Sequence, residues 1–225
     1  MKNMKKTIRL SKTAVGAWNK RWATDEGRVG FTEPHSEVLA LVPELKRRGA
    51  RSVLDLGCGV GRHSLALADA GFDVQAMDGS ATGLKVLRQN AAVKGLSLQL
   101  RQGDADSLPF ADSRFDYVLA WDVIYHGNLG DVGHRVAKIW RVLKPGGLFQ
   151  GTLLSTRHKN YRVGREVAPN TFVEDNEDRG HSHFYCDASD IVVLFTGFEL
   201  LKLGQHIKRR PGSWHWNIVA ERLKT

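Results

Sequence analysis

Between Arg51 and Leu154, short apolar runs alternate with amphipathic stretches of about a dozen residues. The short runs predict strands at Ser52 to Leu56, Asp73 to Met77, Leu96 to Leu100, Phe115 to Ala120 and Leu148 to Leu154. The longer ones predict helices at Gly61 to Ala70, Ala81 to Val93 and Val132 to Leu143, stopped by Gly71, Gly95 and Pro145-Gly146. Val132, Val136, Ile139, Trp140 and Leu143 share the buried face of the last of these. Strands and helices in alternation form βαβ units, which give a parallel sheet with right-handed crossovers and helices on both faces. Upstream, Trp18 and Trp22 suggest a short helix with an aromatic face. His35 to Arg48 reads as a second helix that Pro43 kinks or splits. After Leu154 the pattern breaks: residues 155–186 are polar and rich in Arg and His, as a lid or pocket wall would be. Asp187 then caps a helix over Ala188 to Thr196. The strands Phe198 to Leu203 and Trp216 to Ala220 follow, joined through Pro211-Gly212 as a hairpin. The expected fold is α/β: a seven-stranded, mostly parallel, doubly wound sheet with a C-terminal antiparallel hairpin. Residues 1–34 form a basic tail and lid helix, and residues 35–225 form the domain.

Composition narrows this only slightly. Of 225 residues, 42% are apolar and 25% charged, which excludes disorder, collagen and coiled coil. No run approaches the length of a membrane span, and the basic start leads into no apolar signal core, so a cytoplasmic location is expected. Two cysteines make no disulfide framework. The net charge of +9 is unevenly placed. Residues 1–12 carry five Lys/Arg (Lys2, Lys5, Lys6, Arg9, Lys12) and no acid, and Lys208-Arg209-Arg210 sits near the other end. The stretch between is neutral, so a solvated tail and a basic loop explain the excess. Contact with RNA phosphates is the alternative.

The turn after the first strand carries the most chemistry. In Asp55-Leu56-Gly57-Cys58-Gly59-Val60-Gly61-Arg62, glycines allow positive φ and leave bare backbone for a ligand. The following helix offers free N–H groups there. A dinucleotide fingerprint would place glycine where Arg62 stands. Asp78 ends the second strand, 21 residues after Gly57, where a carboxylate accepts two hydrogen bonds from a ribose diol.

These residues resemble the class I S-adenosylmethionine-dependent methyltransferases, with their Rossmann-like fold. Asp55 to Gly61 is similar to their first motif, and Asp78 to the ribose-binding acid. Gly103-Asp104-Ala105-Asp106-Ser107-Leu108-Pro109-Phe110 is similar to the adenine segment, Phe115 to Val118 to the fourth strand, and Arg141 to Gly147 to the turn into the fifth. Trp18 to Trp22, His35 to Leu39 and Cys58 to Leu65 are similar more narrowly to the tellurite-resistance branch, which methylates small soft nucleophiles. Residues 155–225 depart from that branch. The resemblance implies S-adenosylmethionine as cofactor and methyl transfer to a small molecule. Gly57, Cys58 and Gly59 would lay backbone against its methionine end, with Asp55 at the ammonium. Asp78 and Gly79 would meet the ribose, Asp104 and Ala105 the adenine, and Trp121 the methionine region. Arg62 would pair with the cofactor carboxylate or stand as a plain surface residue. An RNA methyltransferase, or a cofactor-binding protein without turnover, are the alternatives.

In-line displacement at a methyl needs alignment first, and a base only for a protonated nucleophile. His126, after the fourth strand, is the candidate base, or it packs against the cofactor. Trp22, His35, Tyr161, Arg165, His181 and His183 are candidates for the acceptor pocket, with Trp22 either lid or core. His181, His183, Cys186 and Asp187 invite a metal reading, but H-x-H-x-x-C is no recognised zinc spacing, so no metal is expected.

Overall fold

The structure is a computed structural model and describes residues 14–174, 180–208 and 210–224. The basic tail of residues 1–12 and Arg209 therefore lie outside the described residues. No helix among the described residues is long and apolar enough to cross a membrane.

The chain enters through helix α1 (residues 14–22), α2 (Asp25–Arg28), α3 (Ser36–Leu39) and α4 (Val42–Arg47). Pro43 splits the expected second helix and sits in the first turn of α4, where its missing N–H is harmless. Five parallel strands follow: β1 (Ser52–Leu56), β2 (Asp73–Asp78), β3 (Gln99–Gln102), β4 (Phe115–Ala120) and β5 (Leu143–Ser155). They are linked through α5 (Arg62–Asp69), α6 (Ala81–Val93) and α7 (Leu129–Val142). α7 begins three residues earlier than its apolar face suggests, because Asn128 and Asp131 form a reciprocal capping box.

Side-chain alternation divides the core. Leu54 and Leu56 of β1 and Val118 and Ala120 of β4 face one layer, packed by Val132, Val136 and Ile139 of α7. Val53, Tyr117 and Leu119 face the other, packed by Val38, Leu45 and Leu67. Helices thus cover both faces, as the pattern predicts.

After β5 come β6 (Arg165–Ala168), β7 (Thr171–Val173) and β8 (His183–Cys186), then α8 (Ala188–Leu194), β9 (Phe198–Ile207) and β10 (Trp214–Arg222). The seven main strands run in the order β3-β2-β1-β4-β5-β10-β9, with β10 antiparallel to both neighbours. Among the described residues the sheet has ten strands rather than seven, because the polar stretch 155–186 is not all loop. β6, β7 and β8 pair antiparallel, and β8 runs parallel to the last two residues of β5, Leu154 and Ser155. β10 already holds one edge of β5 there, so β8 occupies the edge that β4 vacates at Ala120. The insertion is thereby fixed at the carboxyl ends of the parallel strands, where open α/β sheets bind ligands.

Candidate active site

β1 delivers the chain into a turn in which Gly57, Gly59 and Gly61 all take positive φ, of 69°, 55° and 90°. A Cβ on Gly57 would stand 2.2 Å from Val123 Cγ2, and one on Gly61 2.1 Å from Leu87 Cδ1, so conformation and space both require glycine. The turn is tied to the end of β2. Gly57 N–H donates to Met77 O at 2.7 Å, and Gly59 N–H donates to Asp78 Oδ2 at 2.7 Å. Ser80 N–H donates to Asp78 Oδ1, also at 2.7 Å. Burial pushes the Asp78 carboxyl up, and these two donors oppose that. Each oxygen keeps a further lone pair for a diol.

The turn floors a cavity of about 1260 Å³, its open mouth included. Gly57, Cys58 and Gly59 line it, as do Arg62, Asp78, Gly79, Asp104, Ala105 and Trp121. Nine of the ten expected cofactor residues therefore meet in one space, and Asp55 is the exception. Its side chain lies behind the turn, accepting from Ser64 Oγ at 2.5 Å, and burial pushes it up to about 6. Arg62 is no surface residue: it is buried, 3.5 Å from Asp122 Oδ2, with its guanidinium over the Phe31 ring. Burial pushes the Cys58 thiol well up, which fits a backbone role.

Helix α1 and the segment after it form the roof. Trp18 stacks on Trp22 at 5.0 Å, and Phe31 meets both rings edge-on. Trp22 is both core and roof: it is 4% exposed and packs against Gly59 and Gly83 while lining the cavity. The indole N–H groups of Trp22 and Trp121 are buried in the wall without a hydrogen-bond partner. Unpartnered buried donors are costly, so this wall is short of acceptors. The expected cofactor brings a carboxylate and a diol, and the residues present fit it: bare backbone, the acid Asp78 and two free indole donors.

The other end of the cavity is rich in histidine. His126 and His181 line it, with His126 Nδ1 3.1 Å from His181 Nε2. Burial, with the neighbouring His181 and Arg135, holds His126 well below the usual histidine range, so its ring is neutral. Arg135 donates to the His126 carbonyl and pairs with Asp106 at 2.6 Å. His183 is buried beside this pair. Besides His183, which stands just behind the two lining histidines, three expected acceptor residues do not reach the wall. His35 stands behind Trp121, with ring centroids 4.8 Å apart. Tyr161 donates its hydroxyl to Asn170 Oδ1 and packs on Phe172 and Tyr185, inside the insertion. Arg165 is exposed on β6. Cys186 and Asp187 also separate from the two histidines, because Cys186 is buried against Leu154 O and Asp187 caps α8.

Sequence reasoning missed Asp122, which takes φ +65 just beyond β4. It is held by Lys208 and Arg62, which together keep its carboxyl far below the usual range. Its place at a strand's carboxyl end was the available signal. Lys208, expected in a basic loop, is buried in this pair and is not presented to a polyanion.

A family model described as a methyltransferase domain matches residues 53–147. The chain is 38% identical over 116 residues to a malonyl-[acyl-carrier protein] O-methyltransferase of Pseudescherichia vulneris, covering 52% of this chain but only 44% of that protein. It is 32% identical over 174 residues to a ubiquinone biosynthesis O-methyltransferase of Cereibacter sphaeroides, covering 76% of this chain and 69% of that one. In fold it is similar to the 1,6-didemethyltoxoflavin-N1-methyltransferase of Burkholderia thailandensis, solved with S-adenosylhomocysteine. The TM-score is 0.72 at 17% identity, over 97% of this chain and 91% of that one.

Proposed function

Since the chain belongs to the class I S-adenosylmethionine-dependent methyltransferases, we propose that it methylates a small molecule in the cavity under helix α1. The observation that carries this reading is the clamp at the cavity floor. The Asp78 carboxylate ties the end of β2 to the glycine turn through one oxygen and takes the Ser80 N–H at the start of α6 on the other, beside the cavity that nine of the expected cofactor residues line.

Bound S-adenosylmethionine supplies a methyl group on a positive sulfonium, and transfer neutralises that charge. The residues bind, orient and exclude water. Asp78 accepts from the ribose hydroxyls, and Gly57 to Gly59 lie against the methionine end. The Trp22 and Trp121 N–H groups and Arg62 meet its carboxylate, and Asp104 and Ala105 border the adenine. Trp18, Trp22 and Phe31 keep water out, which favours a step that disperses charge. His126 and His181 hold the nucleophilic end of the acceptor, and β6 to β8 wall it in. The O-methyltransferase names of the relatives favour an oxygen acceptor. RNA is disfavoured because Lys208, one of its three expected C-terminal cations, is spent on Asp122.

Calorimetry with S-adenosylhomocysteine tests the cofactor roles: one site is expected, weakened at least about 10-fold in Asp78→Asn, which loses one charge-assisted partner. Equal affinity in that variant refutes the role of Asp78. Labelled cofactor incubated with fractionated extract tests the acceptor. Label in the small-molecule fraction supports the reading, and label confined to RNA overturns it.

A further inference from the structure

Three histidines converge at the acceptor end of the cavity from points far apart in the chain. His126 follows β4, while His181 and His183 lead into and open β8. Their ring centroids form a near-equilateral triangle, with sides of 4.8, 5.0 and 4.5 Å. One ring nitrogen from each lies within 4.8 Å of the other two. The backbone fixes this arrangement. His126 and His183 face each other in an antiparallel bridge, Gly127 N–H donates to Ser182 O, and Phe184 N–H donates to Tyr125 O, both at 2.9 Å. The ligand-bearing segments are thus cross-linked by the two hydrogen bonds of that bridge, which supplies the rigidity a metal site needs.

We propose that His126, His181 and His183 bind one divalent late first-row transition metal ion, with its remaining coordination position turned towards the cavity. Three neutral imidazoles suit zinc, iron, cobalt, nickel or copper, and three protein ligands with an open fourth position are the pattern of a catalytic rather than a structural site. Nitrogens bound at about 2.0 to 2.1 Å around a tetrahedral ion lie roughly 3.3 Å apart. The His126 and His181 nitrogens are already at 3.1 Å, a spacing now bridged by one N–H, whose proton moves to the other nitrogen of the same ring when the ion binds. The third nitrogen, within 4.8 Å of the other two, would need a side-chain rotation to close on the ion. The protein ligands bring no charge to balance the ion, and the Arg135 guanidinium beside His126 is already balanced by Asp106. The open position therefore selects an anionic ligand, such as a phenolate, enolate or carboxylate oxygen. That ligand role rests on the methyl-transfer reading above, whereas ion binding does not.

Cobalt(II) is the probe. Added to the full chain, it is expected to bind at one equivalent with the intense visible bands of a tetrahedral site. His183→Ala and His181→Gln are each expected to lose about 100-fold in affinity, the upper end of what even outer-shell changes cost metal sites. His134→Gln, at an exposed histidine, should bind as the parent does. Circular dichroism and S-adenosylhomocysteine binding, read without metal, establish that each variant is folded and report on the cofactor separately. Absence of tetrahedral bands at one equivalent, or unchanged bands in a folded His183→Ala, overturns the proposal. Should those variants fail to fold, pulsed spin resonance of copper(II) on the unaltered chain decides. Coupling to three imidazoles supports the site, and one or none overturns it.

Discussion

Gly57 turns the chain at φ +69 with Val123 packed where a side chain would begin. Gly57→Ala therefore meets two penalties: about 1 to 2 kcal/mol for the left-handed conformation, and a clash with a β-branched neighbour that has little rotamer freedom. We expect at least ~2 kcal/mol loss in urea unfolding, with weaker S-adenosylhomocysteine binding because the turn itself shifts. An unchanged midpoint would show that the turn is slack. Asp122 makes the converse case, where charge matters more than shape. Lys208 and Arg62 are both buried around it. Asp122→Asn keeps the volume but leaves two buried cations without their anion, a loss of about 3 kcal/mol. Adding Lys208→Met to that variant should restore part of the loss, since it removes one of the two buried cations that Asp122 balanced. Two single variants and the double, unfolded by denaturant, measure this.

Helix glycines separate by what surrounds them. Gly83 lies in the first turn of α6 against Gly59 O, 2.9 Å from where a Cβ would sit, and against Trp22. Gly133 lies inside α7 with only Leu194 Cδ2 near, at 3.7 Å. Alanine is the better helix former by about 1 kcal/mol at either position. Gly133→Ala is expected to raise stability by about that amount, while Gly83→Ala lowers it and weakens cofactor binding by forcing α6 off the turn. Thermal unfolding of the pair, beside calorimetry, would expose the argument if both moved the same way. The same contrast explains what was legible from sequence. The βαβ frame is written in periods of 2 and 3.6, because its strands and helices bury whole faces. The strands β6, β7 and β8 are three or four residues long, and Arg165 and Glu166 point to solvent, so no period accumulates. The glycine turn and Asp78 follow from the strand-turn-helix pattern, and Asp104, Ala105 and Trp121 from the resemblance, and all the expected cofactor residues but Asp55 line the cavity. Tyr161 and Arg165 were misplaced because they belong to that unreadable insertion. His126 and His183 stand 57 residues apart and meet only through a strand bridge, whereas Cys186 and Asp187, close to the histidines in sequence, are turned away by β8 and the α8 cap.

Across the whole molecule, histidines gather where the parallel strands end, and several are buried as neutral rings. His63 accepts the His35 backbone N–H at its Nε2, which holds that nitrogen unprotonated. Burial, with Lys208 beside it, pushes His215 down from 6.5 to about 3, and burial with Arg62 pushes His35 to about 4. A folded-state value below the unfolded one means that the unfolded chain takes the proton first. The stability is therefore complete above about pH 6.5 and is lost as pH falls through the window down to 4 and 3. At pH 5 the buried His215 costs about 2 kcal/mol, and the half-buried His35 costs less because solvent screens its shift. Asp55 opposes them: its value, raised to about 6, makes protonation favour the folded chain below that pH, but this returns only ~1 kcal/mol at pH 5. The histidines win, and the buried His63 and His126 act the same way, so urea unfolding should show stability falling by at least roughly 2 kcal/mol from pH 7.5 to 5. His215→Gln, which cannot charge, should remove about 2 kcal/mol of that slope, and an unaltered slope in the variant would place the acid sensitivity elsewhere.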